Sequence, residues 1–393
     1  MFKQKIISAI LISAFLLPAA VFGQTNGSGA GVKTAPAAKV YAAPKTEIDR
    51  IREEGLGKNS QVMQTLSYLT DVIGARLTNS PGMKRANEWT RDQMTKWGLQ
   101  NAHLEAWGPF GRGWSLKDFE AKVVAPEVFT VIAYPKAWSP STKGAVTSEV
   151  VWFNAGTDAD FARYKGQLKG KIVLVSPMRP LKALDKPLAS RLSDEELAKM
   201  AAAEKAGGDG EQFTPETLKG IADYFNQFAK RMKFLMDEGA AVMIDNSPAG
   251  SGGTVFVQGA NLAVEINPDI KSIDELFDAP AFQPQRKEFE SRMMPQAVMA
   301  TEDYNRLVRM IQQGVTPRMT VNIDAQYHDE DTMGYNTIAE IPGTDPALKD
   351  EVVMLGGHLD SWHASTGATD NAAGCAVVME AARIILASGL KPR

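Results

Sequence analysis

One cysteine and four histidines are all that 393 residues supply of the two side chains most used to bind transition metals. A single thiol, Cys375, closes no intrachain disulfide. It lies within "AGCAVVMEAARIIL", an apolar helical pattern in which a small buried thiol is expected, and no base neighbours it in sequence to make it a nucleophile. No basic run occurs outside the extreme N-terminus, and 43 Lys and Arg against 46 Asp and Glu leave a formal net charge of -3. That balance excludes the electrostatic footprint of a nucleic-acid binder. No internal repeat is apparent. The runs "GSGAG" (27–31) and "GSGG" (250–253) lack the strand-to-helix context of a phosphate loop.

With 44% hydrophobic and 23% charged residues, the chain has the composition of a folded protein with a sizeable core and the length of two or three domains. At the start, Lys3 and Lys5 precede an apolar run from Ile6 to Phe22, with small residues around Gly23. The run is short of the roughly 20 residues of a spanning helix, is broken by Pro18, and leads into a Gly/Ala/Ser/Thr tract rather than positive charge. A cleaved secretory signal peptide is therefore expected, and no cysteine near Gly23 supports a lipoprotein. From Gln24 to about Lys45 large apolar residues are almost absent, as in a linker.

Two helical stretches follow, "TEIDRIREEGLGKNSQVMQTLSYLTDVIG" and "NSPGMKRANEWTRDQMTKWGLQ". The second has Ser80 and Pro81 as start signals, Gly98 as a stop, and Ala86, Trp89, Met94 and Trp97 approximating one face. "FEAKVVAP" and "TVIAYPKAWSP" read as strands. Short strands bounded by Gly and Pro come next, "GAVTSEVVWFN", "LKGKIVLVSP" and "AAVMIDNSP". Between the last two lies a charged helical segment whose charges are expected to form a solvated face, broken at Gly207 to Gly210. From Met319 the strand signals lengthen: "MTVNIDAQYH", "GYNTIAEIPG" and "EVVMLGGHLD". The continuous apolar run Val352 to Leu355 suits a strand buried on both faces, and a helix from Ala372 to Ser388 follows. Strand, loop and buried helix indicate an α/β sheet, with ligands expected at the carboxyl ends of strands.

His358 and Asp360 fall at such an end, in "MLGGHLDSWHASTGATDNAAG". Side chains two apart in an extended segment face one way, so both can address one pocket while Leu359 turns inward. An imidazole can bind zinc, a nearby carboxylate can orient that ring, and the two oxygens of Asp370 can bridge two ions. The same spacing fits equally well a histidine at a strand end and a helix capped by Thr369 or Asp370. His103, His328 and His363 read as structural or surface residues, as does Glu380, which is expected to point out of its helix.

The motif resembles the first metal-binding motif of the M28 family of zinc peptidases, and its "GHLDSW" wording resembles the plasma glutamate carboxypeptidase branch. The resemblance extends through "LSYLTDVIGARLTNSPG", "LKGKIVLVS", "MPQAVMATEDYNRLVRMIQQG", "YNTIAEIPGT" and "LASGLKPR". It implies an α/β fold: an incomplete M28-type peptidase domain, a mixed sheet flanked by helices, interrupted by a β-rich PA-like domain carrying a helical segment. The divisions expected are a signal peptide (1–23), a linker (24–45), the N-terminal part of the peptidase domain (46–130), the PA-like insertion (131–318) and the first half of the metal-binding core (319–393). His358 would bind one zinc, Asp370 would bridge two, and Asp360 would be the catalytic-site carboxylate acting on His358, with a cis peptide between Asp370 and Asn371.

In the family a Glu-Glu pair, a further Asp and a His follow, supplying the general base and the remaining ligands; this chain ends at Arg393 before any of them. The resemblance thus implies a secreted or periplasmic zinc exopeptidase (amino-, carboxy- or dipeptidase) using a metal-activated water, truncated and inactive as this fragment. Its partners would be a peptide or dipeptide, no nucleic acid, and no membrane after signal removal, with a homodimer among the open assemblies. The alternative is a non-catalytic binding protein of PA-type and peptidase-like parts.

Overall fold

The computed structural model describes residues 44–183, 185, 187, 189–202 and 214–393. The expected signal peptide, nearly all of the linker and the Gly207 to Gly210 break lie outside the described residues. The first three helices among the described residues are α1 (Lys45–Leu56), α2 (Val62–Ser67, continued by a π-helical turn to Ile73) and α3 (Pro81–Trp97). The expected signals hold for α3: the Ser80 hydroxyl accepts from the Met83 amide, and Gly98 closes the helix at φ 95°. The expected apolar face is only part of what α3 buries. Asn87 and Thr90 are buried beside Ala86 because they hydrogen-bond to the sheet next to them, Thr90 to the Thr337 hydroxyl at 3.2 Å.

The strands are β1 (Gln100–Trp107), β2 (Gly113–Ala125), β3 (Phe129–Thr130), β4 (Ala133–Pro135), β5 (Val146–Trp152), β6 (Ile172–Leu174), β7 (Val242–Asn246), β8 (Gln296–Met299), β9 (Arg318–His328) and β10 (Gly334–Glu340). Among the described residues the further long helices are α4 (Pro215–Asp237), α5 (Thr301–Gln312) and α6 (Ala373–Ala387), and shorter ones lie at Asp158–Ala162, Asp194–Ala201 and Ile273–Phe277. The contacts divide the described chain into two compact units, one of residues 44–109 and 333–393, the other within 110–332. The expected boundaries at 130/131 and 318/319 are therefore displaced. The cause is the long antiparallel pairing of β2 with β9, which runs from Gly113 opposite His328 to Ala125 opposite Arg318 and ties both strands to the inserted unit.

In the inserted unit the eight strands run in the order β3-β2-β9-β5-β6-β7-β8-β4. The stretch β5-β6-β7-β8 is parallel and the remaining pairs are antiparallel. The parallel strands carry the uninterrupted apolar runs such strands need when both faces are covered. On one face Ile172, Leu174, Val242 and Ile244 pack with Tyr304, Leu307 and Val308 of α5; on the other Val173 and Met243 pack with Met232 and Leu235 of α4. The charges of α4 do form a solvated face, with exposed pairs Lys219–Asp223 and Lys233–Asp237 four residues apart. "TVIAYPKAWSP" does not make one strand; β3 and β4 are short pieces pairing with β2 and β8 respectively.

In the other unit β1 and β10 form a two-stranded antiparallel sheet, with α3 against both. The strand expected at Val352 to Leu355 is not formed, and Val353 is 92% exposed. A strand exists by pairing, and among the described residues of this unit the sheet ends with β1 and β10. The run is apolar enough for a buried strand, but pattern does not supply a partner. A small core of Leu69, Ile73, Ala86, Ala372 and Cys375 joins the N-terminal helices to α6. Among the described residues no helix is long and apolar enough to cross a membrane.

Candidate metal centre

His358 and Asp360 stand on an extended loop, residues 341–367 having no regular structure, and not at a strand end as expected. The two-residue alternation nevertheless holds. Leu359 packs against the small core, while His358 and Asp360 are half-exposed on the other side. From behind, the Cys375 thiol donates to the His358 carbonyl at 3.2 Å and fixes the backbone at this point. Burial pushes that thiol up to about 11, so it remains protonated and plays the structural part its apolar surroundings suggested.

Asp370 reaches the same place from the start of α6. It lies in a turn from Ala368 to Ala372 with non-helical angles at Asp370 (φ -117°, ψ 92°) and Asn371, and the peptide between those two is cis, as the resemblance implied. The helix proper begins at Ala373 with no side-chain cap. Neither Thr369 nor Asp370 caps α6. The adjacent Asn371 instead takes the Gly374 amide at 3.2 Å, and a Cβ at Gly374 would lie 2.3 Å from that same Asn371 oxygen. Glycine is needed there to let Asn371 fold over the helix start.

The three side chains form a line. Asp360 Oδ1 is 3.1 Å from His358 Nδ1, and Asp370 Oδ1 is 3.0 Å from His358 Nε2. The second Asp360 oxygen accepts from the Thr78 hydroxyl. The hydrogen bond to Asp360, together with the charges of Asp360 and Asp370, raises the His358 pKa above that of a free imidazole against the opposing effect of burial. Burial pushes the Asp360 carboxyl up, but its hydrogen bonds to His358 and Thr78 outweigh this and hold it below the usual carboxylate value. When His358 is protonated, its Nε2–H faces Asp370 Oδ1.

A divalent ion can take that proton's place. Two donors on one tetrahedral zinc, at bonds of 2.0–2.1 Å, stand about 3.3 Å apart, close to the separation seen here. Nδ1 held by a carboxylate leaves the Nε2 lone pair directed at the ion, the arrangement that tunes metal-binding histidines. Imidazole nitrogen and carboxylate oxygen both suit zinc, so His358 and Asp370 fit as two of its ligands. Among the described residues, no group of three or more His, Cys, Asp or Glu is placed to hold a metal ion.

The other candidates fall away on geometry. His103 is half-buried with Nδ1 on the Asn101 carbonyl, His328 shares a hydrogen bond with Ser115, and His363 is buried. Glu380 does not point outward as expected. It is buried, accepting from Ser60, the Gln61 amide and Arg383, so it ties α2 to α6 and takes no part in the site. Thr78 was missed in the sequence, since a hydroxyl in "RLTNSPG" has no pattern of its own; the one signal was the resemblance of that segment as a whole.

Residues 336–393, which contain His358, Asp360 and Asp370, match the model of Peptidase family M28. Among individual relatives, carboxypeptidase Q of Homo sapiens is 34% identical over 100 residues, 25% of this chain and 21% of the relative, and that of Xenopus laevis is 36% identical over the same shares. Leupeptin-inactivating enzyme 1 of Streptomyces exfoliatus is 46% identical over 59 residues, 15% of this chain and 13% of the relative. The aligned part is thus about a fifth of the curated carboxypeptidases. Of solved structures, a peptidase M28 precursor from Shewanella amazonensis matches with TM-score 0.49 at 19% identity, over 87% of this chain and 63% of that one. A zinc aminopeptidase from Bacillus subtilis matches with TM-score 0.44 at 17% identity, over 82% and 57%.

Proposed function

We propose that this chain carries the first half of a co-catalytic zinc exopeptidase site, with His358 and Asp370 as metal ligands and Asp360 as the carboxylate that orients His358. The observation that carries the reading is the capture of both imidazole nitrogens by carboxylates, Nδ1 by Asp360 and Nε2 by Asp370, with Asp370 released from any capping duty. In this reading His358 and Asp370 would hold zinc, with Asp370 available to a second ion as well. Zinc, when bound, supplies Lewis-acid polarisation of a scissile carbonyl and acidification of water. The chain's own residues hold the ring tautomer through Asp360, hold Asp360 through Thr78, and present one Asp370 oxygen to Nε2.

Two protein ligands fall short of the three usual at a catalytic zinc, and Asp360 is committed to His358 and Thr78. The 393-residue chain accordingly binds zinc and does not turn over. Peptides or dipeptides are the substrate class of the complete site, the unit 110–332 is a PA-like insertion that interrupts the peptidase unit in sequence, and Lys3, Lys5 and the run from Ile6 to Phe22 direct export. The test is zinc titration of the purified chain by calorimetry beside hydrolysis of a dipeptide panel. Heat of binding lost in His358→Ala, without hydrolysis, is expected. Absence of binding would overturn the metal reading; EDTA-sensitive hydrolysis would overturn the inactivity.

A further inference from the structure

The loop between the two ligands has no strand or helix to hold it. Residues 359–367 link Asp360 to the turn that carries Asp370, and a loop of this length left to itself would sample many arrangements. What holds it is a side chain from a different part of the chain. Arg76, 0% exposed, donates from Nε to the Leu359 carbonyl (2.8 Å), from Nη1 to those of Thr366 (2.8 Å), Gly74 (2.8 Å) and Leu69 (3.1 Å), and from Nη2 to that of Gly367 (3.0 Å). Its backbone adds a reciprocal pair: the Arg76 amide donates to the Ser361 hydroxyl and the Ser361 amide to the Arg76 carbonyl, both at 3.0 Å.

Every hydrogen bond described for this guanidinium goes to a main-chain carbonyl, none to a carboxylate. A buried cation with only neutral acceptors is an expensive way to stabilise a fold, since burial itself opposes the charge. Its acceptors have a clear distribution. Leu359 lies between His358 and Asp360, and Thr366 and Gly367 begin the turn that delivers Asp370. One planar fork thus fixes both ends of the loop, and the fixed geometry of five N–H donors suits it to this as a flexible ammonium would not. Gly367 is shaped to the same contact: it has φ 59°, and a Cβ there would lie 2.3 Å from Ser361 Cβ and 2.9 Å from Arg76 Nη2. Two residues further on, Thr78 donates to the Asp360 oxygen that His358 does not use.

We infer that Arg76 and Thr78 are positioning residues for the metal site, Arg76 setting Asp370 opposite His358 by clamping the loop 359–367 and Thr78 setting the His358 ring through Asp360. This rests on the zinc-site reading for its purpose, but its geometry is testable without metal. The segment "GARLT" is then part of the site, although it is some 280 residues away in sequence (Thr78 to Asp360 is 282).

The test uses the full chain and two readouts. In the first, cobalt(II) absorption and zinc calorimetry compare wild type with Thr78→Val, which keeps the shape and removes the donor, and Thr78→Ser, which restores it. Affinity is expected to fall about 10–100-fold in Thr78→Val and to return in Thr78→Ser, the range typical for a lost outer partner of a ligand. Equal affinity in all three would overturn the role of Thr78. In the second, hydrogen exchange on the metal-free protein compares wild type with Arg76→Lys. The amides of Ser361 and Ala372, which pair with Arg76 and Gly367, are expected to exchange at least tenfold faster while those of α6 beyond its first turn are unchanged. Unchanged loop exchange, or equal acceleration throughout α6, would overturn the clamp. If wild type binds neither ion, the zinc reading fails and the exchange experiment alone decides the positioning claim.

Discussion

Replacing Glu380 by alanine should loosen the N-terminal helices more than any other single change to an acidic residue in their unit. Glu380 is 5% exposed and accepts four hydrogen bonds, from Ser60 Oγ (3.0 Å), the Gln61 amide (3.0 Å), Arg383 Nε (2.7 Å) and Arg383 Nη2 (2.9 Å). Gln61 is the N-cap of α2 and makes no side-chain cap of its own, and the carboxylate from α6 holds its backbone amide. Removing it strands part of the Arg383 fork and two donors at the start of α2. Breaking a buried pair from one side costs about 3–5 kcal/mol, and the low end applies because Glu54 still holds Arg383 Nη1 at 2.5 Å. About 3 kcal/mol corresponds to a more than 100-fold change in an opening equilibrium. Because the chain has two units, global unfolding is not a clean two-state measure, and native-state hydrogen exchange at Thr65, whose amide bonds to the Gln61 carbonyl at 2.9 Å, is the suitable assay. Burial pushes the Glu380 carboxyl up, but Arg383, Gln61 and Ser60 outweigh it and leave its pKa lowered. Its contribution is therefore complete above the ordinary carboxyl pKa and is lost as pH falls through the lower folded value; Glu380→Gln should flatten that acid limb. Exchange at Thr65 within threefold of wild type in Glu380→Ala would refute the reasoning.

Three further outcomes follow from the same geometry. Zinc must displace a proton from His358, whose pKa is raised, so affinity should still be climbing with pH above roughly 6.5 and level off only beyond the raised value; in Asp360→Asn, titration calorimetry at several pH values should find the plateau reached at lower pH. Cys375 is 4% exposed with its thiol pushed up to about 11, so a thiol reagent should label the native chain at least tenfold more slowly than the urea-unfolded chain, and equal rates would contradict its placement. Val353→Lys should change the melting temperature little, since surface substitutions stay within about 0.5 kcal/mol, and should lower self-association in light scattering, because the apolar run Val352 to Leu355 is exposed.

Much of the fold was legible where one local signal determined one local outcome. Ser80, Pro81 and Gly98 bounded α3, and the apolar runs in β5, β6 and β7 gave buried parallel strands. The failures share a different cause. Val352 to Leu355 has the pattern of a buried strand, yet a strand is completed by a neighbour, and that information is not in the run itself. Glu380 looked like a surface residue because two of its partners, Ser60 and Gln61, lie more than 300 positions away. At the site, the spacing of His358, Asp360 and Asp370 singled out three side chains that the structure brings together but left a capped helix as an equal reading; the start of α6 at Ala373, which carries no side-chain cap, removes that capping reading. Arg76 and Thr78 were illegible because carbonyl clamps and lone hydroxyls leave no sequence pattern.

The claim that His358 and Asp370 form half of a zinc site is most directly tested by zinc K-edge X-ray absorption on the zinc-loaded 393-residue chain. The account predicts a light-atom shell of nitrogen and oxygen, with imidazole scattering that disappears in His358→Ala and no sulfur from Cys375. A zinc–sulfur distance near 2.3 Å, or a spectrum unchanged by His358→Ala, would contradict it.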